Sequence, residues 1–249
     1  MNPEKQFADE RHERLLAYAQ DEPFRDLSRQ WLQASMARKY VYNYDWLGRP
    51  IIQYPQDIVA MQELIWRVQP DLIIETGIAH GGSLIFSASM LELNAACGGP
   101  KDARVLGIDI DIRRHNRGAI EAHPMSRRIE MIEGSSIAPD VVSRVRGAAT
   151  GCKSVLICLD SNHTHDHVLA ELVSYAPLTT VGSYCVVFDT LIEDLPPGTY
   201  ADRPWSPGNN PKTAVREYLR THPEFEVDHA IDGQLLISVA REGYLRRVS

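Results

Sequence analysis

Cysteine is scarce in this chain, with four in 249 residues (Cys97, Cys152, Cys158, Cys185). Their spacing is not that of a metal knuckle, so neither a disulfide scaffold nor a cysteine zinc site is expected. Cys158 and Cys185 lie inside apolar runs and read as small core residues. A reducing, cytoplasmic setting fits best. A basic excess is also missing: Lys plus Arg number 26 against 33 Asp plus Glu, a net charge of −7. Such a chain offers no electrostatic footprint to a phosphate backbone, so nucleic acid is not an expected partner. No apolar run approaches the roughly 20 residues of a membrane span. The longest, such as SVLICL, are strand-length. The N-terminal stretch MNPEKQFADERHE is charged and lacks an apolar core, so no secretory signal is expected. Repeats and low-complexity segments are absent as well. What is present is an ordinary globular composition, 44% hydrophobic and 24% charged. Its length suits one domain with an N-terminal appendage.

Residues 1–40 carry apolar positions at helical spacing: Leu15, Leu16 and Ala19, then Leu27, Trp31 and Leu32. A Tyr- and Trp-rich segment, 39–55, contains the turn signal Gly48-Arg49-Pro50. A further helical pattern runs from Pro55 to Pro70. From residue 71 short β-rich runs recur at 71–76, 104–110, 128–134, 154–160, 183–189, 225–230 and 234–240. Helix-length stretches separate the first five. The fold class is therefore α/β: a seven-stranded, mostly parallel Rossmann-like sheet with helices on both faces. Asp232-Gly233 between the final two runs predicts an antiparallel C-terminal hairpin. The division is a helical N-terminal extension and lid, 1–70, followed by a binding domain, 71–249. The Pro/Gly-rich loop 190–211 is long enough to suggest a functional role.

Four constellations could carry chemistry. Glu75-Thr-Gly77-Ile-Ala-His-Gly81-Gly82-Ser83 follows an apolar strand and opens a helix. Its G-x-x-x-G-G spacing departs from the dinucleotide fingerprint G-x-G-x-x-G. It reads either as a ligand loop or as a tight packing turn. Asp109 ends the second strand, where a carboxylate can accept from a ribose diol; the neighbouring Asp111 could be a helix N-cap. Asp160 ends the fourth strand, with His163 three residues on. His165 and His167 fall at the start of the next helix, which argues against a three-histidine zinc site. Asp189 closes the fifth strand. If the fourth and fifth strands are neighbours, Asp160 and Asp189 repel unless a proton or a cation lies between them. Two separately solvated strand-end aspartates remain the alternative.

Together E-T-G-I-A-H-G-G-S, G-I-D, E-G-S-S, D-x-x-H and V-V-F-D resemble class I S-adenosylmethionine-dependent methyltransferases. The more specific resemblance is to the cephalosporin hydroxylase family of O-methyltransferase-like proteins, over about four-fifths of the chain. That resemblance implies S-adenosylmethionine as cofactor, with Glu75, Gly77, Gly81 and Ser83 around its methionine part. It implies Asp109 at the ribose, Ser135 near the adenine, and Asp160 bordering both cofactor and cation. Asp160 and Asp189 would hold Mg²⁺ or another divalent cation, and His163 would be the general base. Relatives often carry a third acidic or amide ligand beside the second aspartate; this chain has Phe188 and Thr190 there. The implied acceptor is a hydroxyl of a sugar or nucleotide-linked sugar in polysaccharide or natural-product biosynthesis, and the implied assembly a homo-oligomer. Tyr42, Tyr44, Trp46, Tyr54 and Trp205 are candidates for stacking on a sugar or for plugging a lid. Lys212 and Arg216 could meet a phosphate or form a solvated helix face. The competing functions are an oxygenase, as the family's name suggests, and a cofactor-binding protein without catalysis.

Overall fold

The computed structural model describes residues 2–249. The N-terminal region folds as α1 (Pro3–Gln20) and α2 (Glu22–Ala37). Each begins as its sequence dictates. Asn2 and Asp21 accept N–H groups from the first turns of α1 and α2, and a proline stands at each helix start. α1 buries no residue, whereas α2 turns Ser28, Leu32 and Ser35 inward. The aromatic segment forms a ribbon of β1 (Tyr44–Trp46) and β2 (Arg49–Ile51). It turns on Leu47 and Gly48, both with positive φ. α3 (Pro55–Val68) stops at Gln69, which caps it in the left-handed region just before Pro70.

Alternation then begins. The elements are β3 (Leu72–Thr76), α4 (Gly82–Ala96), β4 (Arg104–Asp109), α5 (Arg114–Glu121), β5 (Ile129–Glu133), α6 (Pro139–Ala149), β6 (Val155–Leu159), α7 (His165–Tyr175) and β7 (Tyr184–Val187). After the long loop come α8 (Pro211–Leu219), β8 (Phe225–Val227), α9 (His229–Leu235) and β9 (Tyr244–Arg247). The seven-stranded sheet has the order β5-β4-β3-β6-β7-β9-β8. Its first five strands are parallel, and β9 runs antiparallel to both β7 and β8. Successive residues of a strand face opposite ways. Ile73, Leu156 and Cys158 therefore join a core with Leu64 and Leu84 of α3 and α4. Leu72, Ile74 and Ile157 pack on the other face with Val145, Leu172 and Val215 of α6, α7 and α8. Among the described residues no helix is long and apolar enough to cross a membrane.

The mixed sheet and its antiparallel C-terminal hairpin, β8 paired with β9, are as the sequence predicts; the Asp232-Gly233 turn and the place of the last strand are not. Asp232 and Gly233 lie inside α9, and the run 234–240 is not a strand. The run is buried: Leu235, Val239 and Ala240 join the core on the α3 side. Apolarity alone does not separate a buried strand from a buried helix end. The final strand is β9, ten residues later than the start of that run.

The topological switch lies between β3 and β6, whose chains leave in opposite directions along the sheet. Open α/β sheets bind ligands at the carboxyl ends of such strands. Asp160, Gly77 and Asp109 all sit at this edge.

Candidate active site

The β3–α4 loop is built from backbone. The Gly77 N–H donates to the Ile108 carbonyl at 2.8 Å. Gly77 has φ +91°, and a Cβ there would lie 2.1 Å from the Asp160 carbonyl oxygen. Only glycine lets the ends of β3 and β6 come this close. Arg49 of β2 clamps the loop from outside, with Nη2 2.6 Å from the His80 carbonyl and 3.0 Å from Asn116 Oδ1. Asn116 donates to the Ala79 carbonyl at 2.8 Å. Asp109 completes the cradle. Its Oδ2 accepts from the N–H groups of Ile78 (2.8 Å) and Ala79 (3.2 Å), and its Oδ1 from that of Asp111 (3.1 Å). Asp111 is not the cap of α5; Arg113 holds that position. Glu75 is buried beneath the loop and accepts from the Ser83 hydroxyl. Burial pushes its carboxyl up to about 7, and the Ser83 bond offsets only part of that.

Ser135 is half-buried at the end of β5. The neighbouring Ser136 makes the observed contacts. Its hydroxyl lies 3.1 Å from His167 Nε2, and its carbonyl accepts from the Tyr175 hydroxyl. Ser161 joins the same network, with its hydroxyl 3.2 Å from His167 Nε2 and donating to Glu171 at 2.7 Å. Sequence reasoning singled out neither Ser161 nor Glu171.

Across the switch, side chains build the site. Asp160, His163 and Asp189 each offer a ligand atom, all within 4.8 Å of one another. His163 Nε2 is 3.1 Å from Asp189 Oδ2. Burial raises the Asp160 carboxyl well above the usual carboxylate range, and the charges of Asp189 and Glu75 push the same way. Asp189 sits in the left-handed region, φ 54° and ψ 19°. Two carboxylates at this separation suit a divalent cation with water completing its shell, and His163 stands beside them. Neither residue flanking Asp189 adds a donor. Phe188 is buried, and the Thr190 hydroxyl donates to the Val239 carbonyl at 3.3 Å. The other histidines diverge: His165 Nδ1 meets the Thr213 hydroxyl at 2.8 Å, and His167 faces the serines. Trp205, on the long loop, stands edge-on to His163 with ring centroids 4.7 Å apart. Lys212 is not free for a phosphate. It is buried against Asp194 at 2.7 Å and Glu242 at 3.3 Å, and Arg216 pairs with Glu242 at 3.6 Å.

A protein-family model described as Rhamnosyl O-methyltransferase/CmcI matches residues 38–248. The chain belongs to that family. The Rhamnosyl O-methyltransferase/CmcI family makes it an S-adenosylmethionine-dependent O-methyltransferase by class. This corrects the expected cephalosporin hydroxylase family: the matching family is one of methyltransferases, not of hydroxylases. The Rhamnosyl O-methyltransferase of Mycobacterium leprae (strain TN) is 29% identical over 206 residues, covering 81% of this chain and 82% of that protein. That of Mycobacterium tuberculosis (strain H37Rv) is 31% identical over 186 residues, covering 72% of this chain and 66% of that protein. Among solved structures, CmcI with Mg and SAM superposes with a TM-score of 0.59 at 21% identity, covering 84% of this chain and 78% of that one. The O-methyltransferase TomG from Streptomyces achromogenes gives 0.52 at 14%, covering 89% and 90%. At these identities the likeness is one of fold.

Proposed function

We propose that the chain transfers a methyl group from S-adenosylmethionine to a hydroxyl of a sugar or nucleotide-linked sugar, assisted by a divalent cation. The observation that carries this reading is the convergence of Asp160, His163 and Asp189 beside the glycine loop. Support for the sugar comes from the mycobacterial relatives, whose names specify a rhamnosyl acceptor. The solved CmcI structure with Mg and SAM supports the cofactor and cation.

In this reading Gly77, Gly81 and Asp109 form the cofactor cradle, with Glu75 and Ser83 beneath it and Ser135 toward the adenine. Asp160 and Asp189 hold the cation, and Asp160 also borders the cofactor. A sugar hydroxyl ionises far above neutral pH, so it is a weak nucleophile. A bound divalent cation supplies a lowered pKa for that hydroxyl and a fixed orientation. His163, standing beside the two carboxylates, takes the proton. Asp189 Oδ2, 3.1 Å from His163 Nε2, orients the ring. Trp205 shields His163 and offers an aromatic wall to the acceptor. Holding donor and acceptor in line supplies much of the remaining rate enhancement.

The test is methyl transfer from isotopically labelled S-adenosylmethionine to a panel of rhamnosyl and nucleotide-linked sugars, with and without a chelator. Labelled product that disappears with the chelator and returns with Mg²⁺ or Mn²⁺ supports the reading. Methylation restricted to non-sugar hydroxyls, or indifferent to the chelator, overturns the corresponding part.

A further inference from the structure

We infer that Asp57 is a positioning residue for the cation-holding half of the site, fastening the segment that fixes the turn carrying Asp189. The inference rests on the proposed reading of Asp160 and Asp189 as cation ligands. Asp57 lies in the first turn of α3 and is wholly buried. A buried carboxylate is costly unless its oxygens are used. Each group bonded to Asp57 is a donor: the Ser238 hydroxyl at 2.6 Å, the Val239 N–H at 2.9 Å and the Tyr244 hydroxyl at 2.9 Å. The Ser238 oxygen in turn accepts from the Ala240 N–H at 2.9 Å.

Val239 passes the constraint on. Asp57 holds its N–H, while its carbonyl accepts from the Leu191 N–H at 3.2 Å and the Thr190 hydroxyl at 3.3 Å. Those are the two residues after Asp189. A second strap grips the chain two residues before it, where the Val187 N–H donates to the Gly243 carbonyl at 2.8 Å. A Cβ on Gly243 would lie 2.1 Å from the Val187 carbonyl oxygen, so this strap has no slack. Between the two straps Asp189 adopts its left-handed conformation. A non-glycine residue stays there only when its surroundings over-determine it. Asp57 does not touch the reacting groups; it acts through Val239. Outer partners of this kind tune a metal site by orienting its ligands.

The experiment compares the full chain with its Asp57→Asn and Ser238→Ala variants. Asp57→Asn keeps the size but turns one acceptor oxygen into a donor facing donors. Ser238→Ala removes two bonds, the one donated to Asp57 and the one accepted from Ala240, and carries the same decision if the first variant fails to fold. Three quantities are read: amide hydrogen exchange at Leu191 and Ile192, Mn²⁺ affinity by electron paramagnetic resonance, and S-adenosylhomocysteine affinity by calorimetry. Exchange should quicken about tenfold and Mn²⁺ affinity should fall about 10- to 100-fold, with S-adenosylhomocysteine affinity within about twofold of the parent. Unchanged exchange and Mn²⁺ affinity would overturn the inference. So would a parallel fall in all three, the sign of a general loss of stability. If the parent chain takes up no Mn²⁺, the cation reading falls. Exchange at Leu191 and Ile192 then decides alone whether Asp57 fixes the turn.

Discussion

The two sides of the β3–β6 switch are built from different materials. On the β3–β4 side, backbone does the shaping, and the Asp109 carboxylate already accepts three N–H groups. On the β6–β7 side, Asp160, Asp189 and His163 converge, and burial, with the acidic neighbours adding to it, raises the pKa of Asp160. One side is satisfied as it stands; the other gathers like charges that a cation would relieve. A pocket can thus present a pre-formed cradle to one ligand and an electrostatic demand to another, within one crevice.

Gly77 is where the two sides touch, so its substitution should blur the contrast most. Gly77→Ala places a methyl group against the Asp160 carbonyl at a positive φ. A loss on the order of 3 kcal/mol or more is expected, measurable as a fall in denaturation midpoint, together with weakened cofactor and metal binding. A variant of unchanged stability would mean that the halves are not in rigid contact. His163→Ala tests the side-chain half alone. It should lower kcat about 10²-fold or more with cofactor affinity retained, and little change under saturating substrate would remove His163 from the chemistry. Asp109→Ala tests the backbone half alone. Its loss should weaken S-adenosylmethionine binding by about tenfold, the scale of lost charged hydrogen bonds, with kcat less affected. Isothermal titration showing unchanged affinity would reject that assignment.

Glu75 gives the smallest effect and the clearest sign. Burial lifts its carboxyl from 4.5 to about 7 in the folded chain. Between those values the folded state holds a proton that the unfolded state has released, so stability falls as pH rises through this window. The Glu75 contribution is complete below the unfolded value and lost above about 7. Glu75→Gln should therefore flatten the decline in melting temperature between about pH 5 and pH 7, the span set by that linkage. A slope equal to the parent's would place the titration elsewhere, with Asp57 the next group to test, since burial lifts it to about 6.

Much of the parallel sheet is legible because its strands carry their own signal. LIIET and VLICL are buried at every position; a glycine turn follows the first at once, and polar residues follow the second. The strand-ending aspartates are legible for the same reason, since a carboxylate after an apolar run has only the sheet edge to occupy. β9 is different. Its four residues, Tyr244–Arg247, carry little apolar pattern, while the more hydrophobic run before them packs without being a strand. The partners of Asp57 lie more than 180 residues away in sequence. No local periodicity announces such a bond. Lys212 shows the same limit: its surroundings bury it against Asp194 and Glu242, which the helix sequence alone does not reveal.

The place of β9 in the sheet bears on how the protein is made. β9 is inserted between β7 and β8, and β8 joins the sheet only through it. A chain emerging from the ribosome N-terminus first can assemble β3 to β7 and the glycine cradle early. β8 must wait, unpaired, until the later residues leave the exit tunnel. Asp57 waits with it, lacking Ser238, Val239 and Tyr244. Translation that stalls just before residue 238 would release a species with a formed glycine loop and an unfastened Asp189. Such a species would be a target for chaperones before it could be an enzyme.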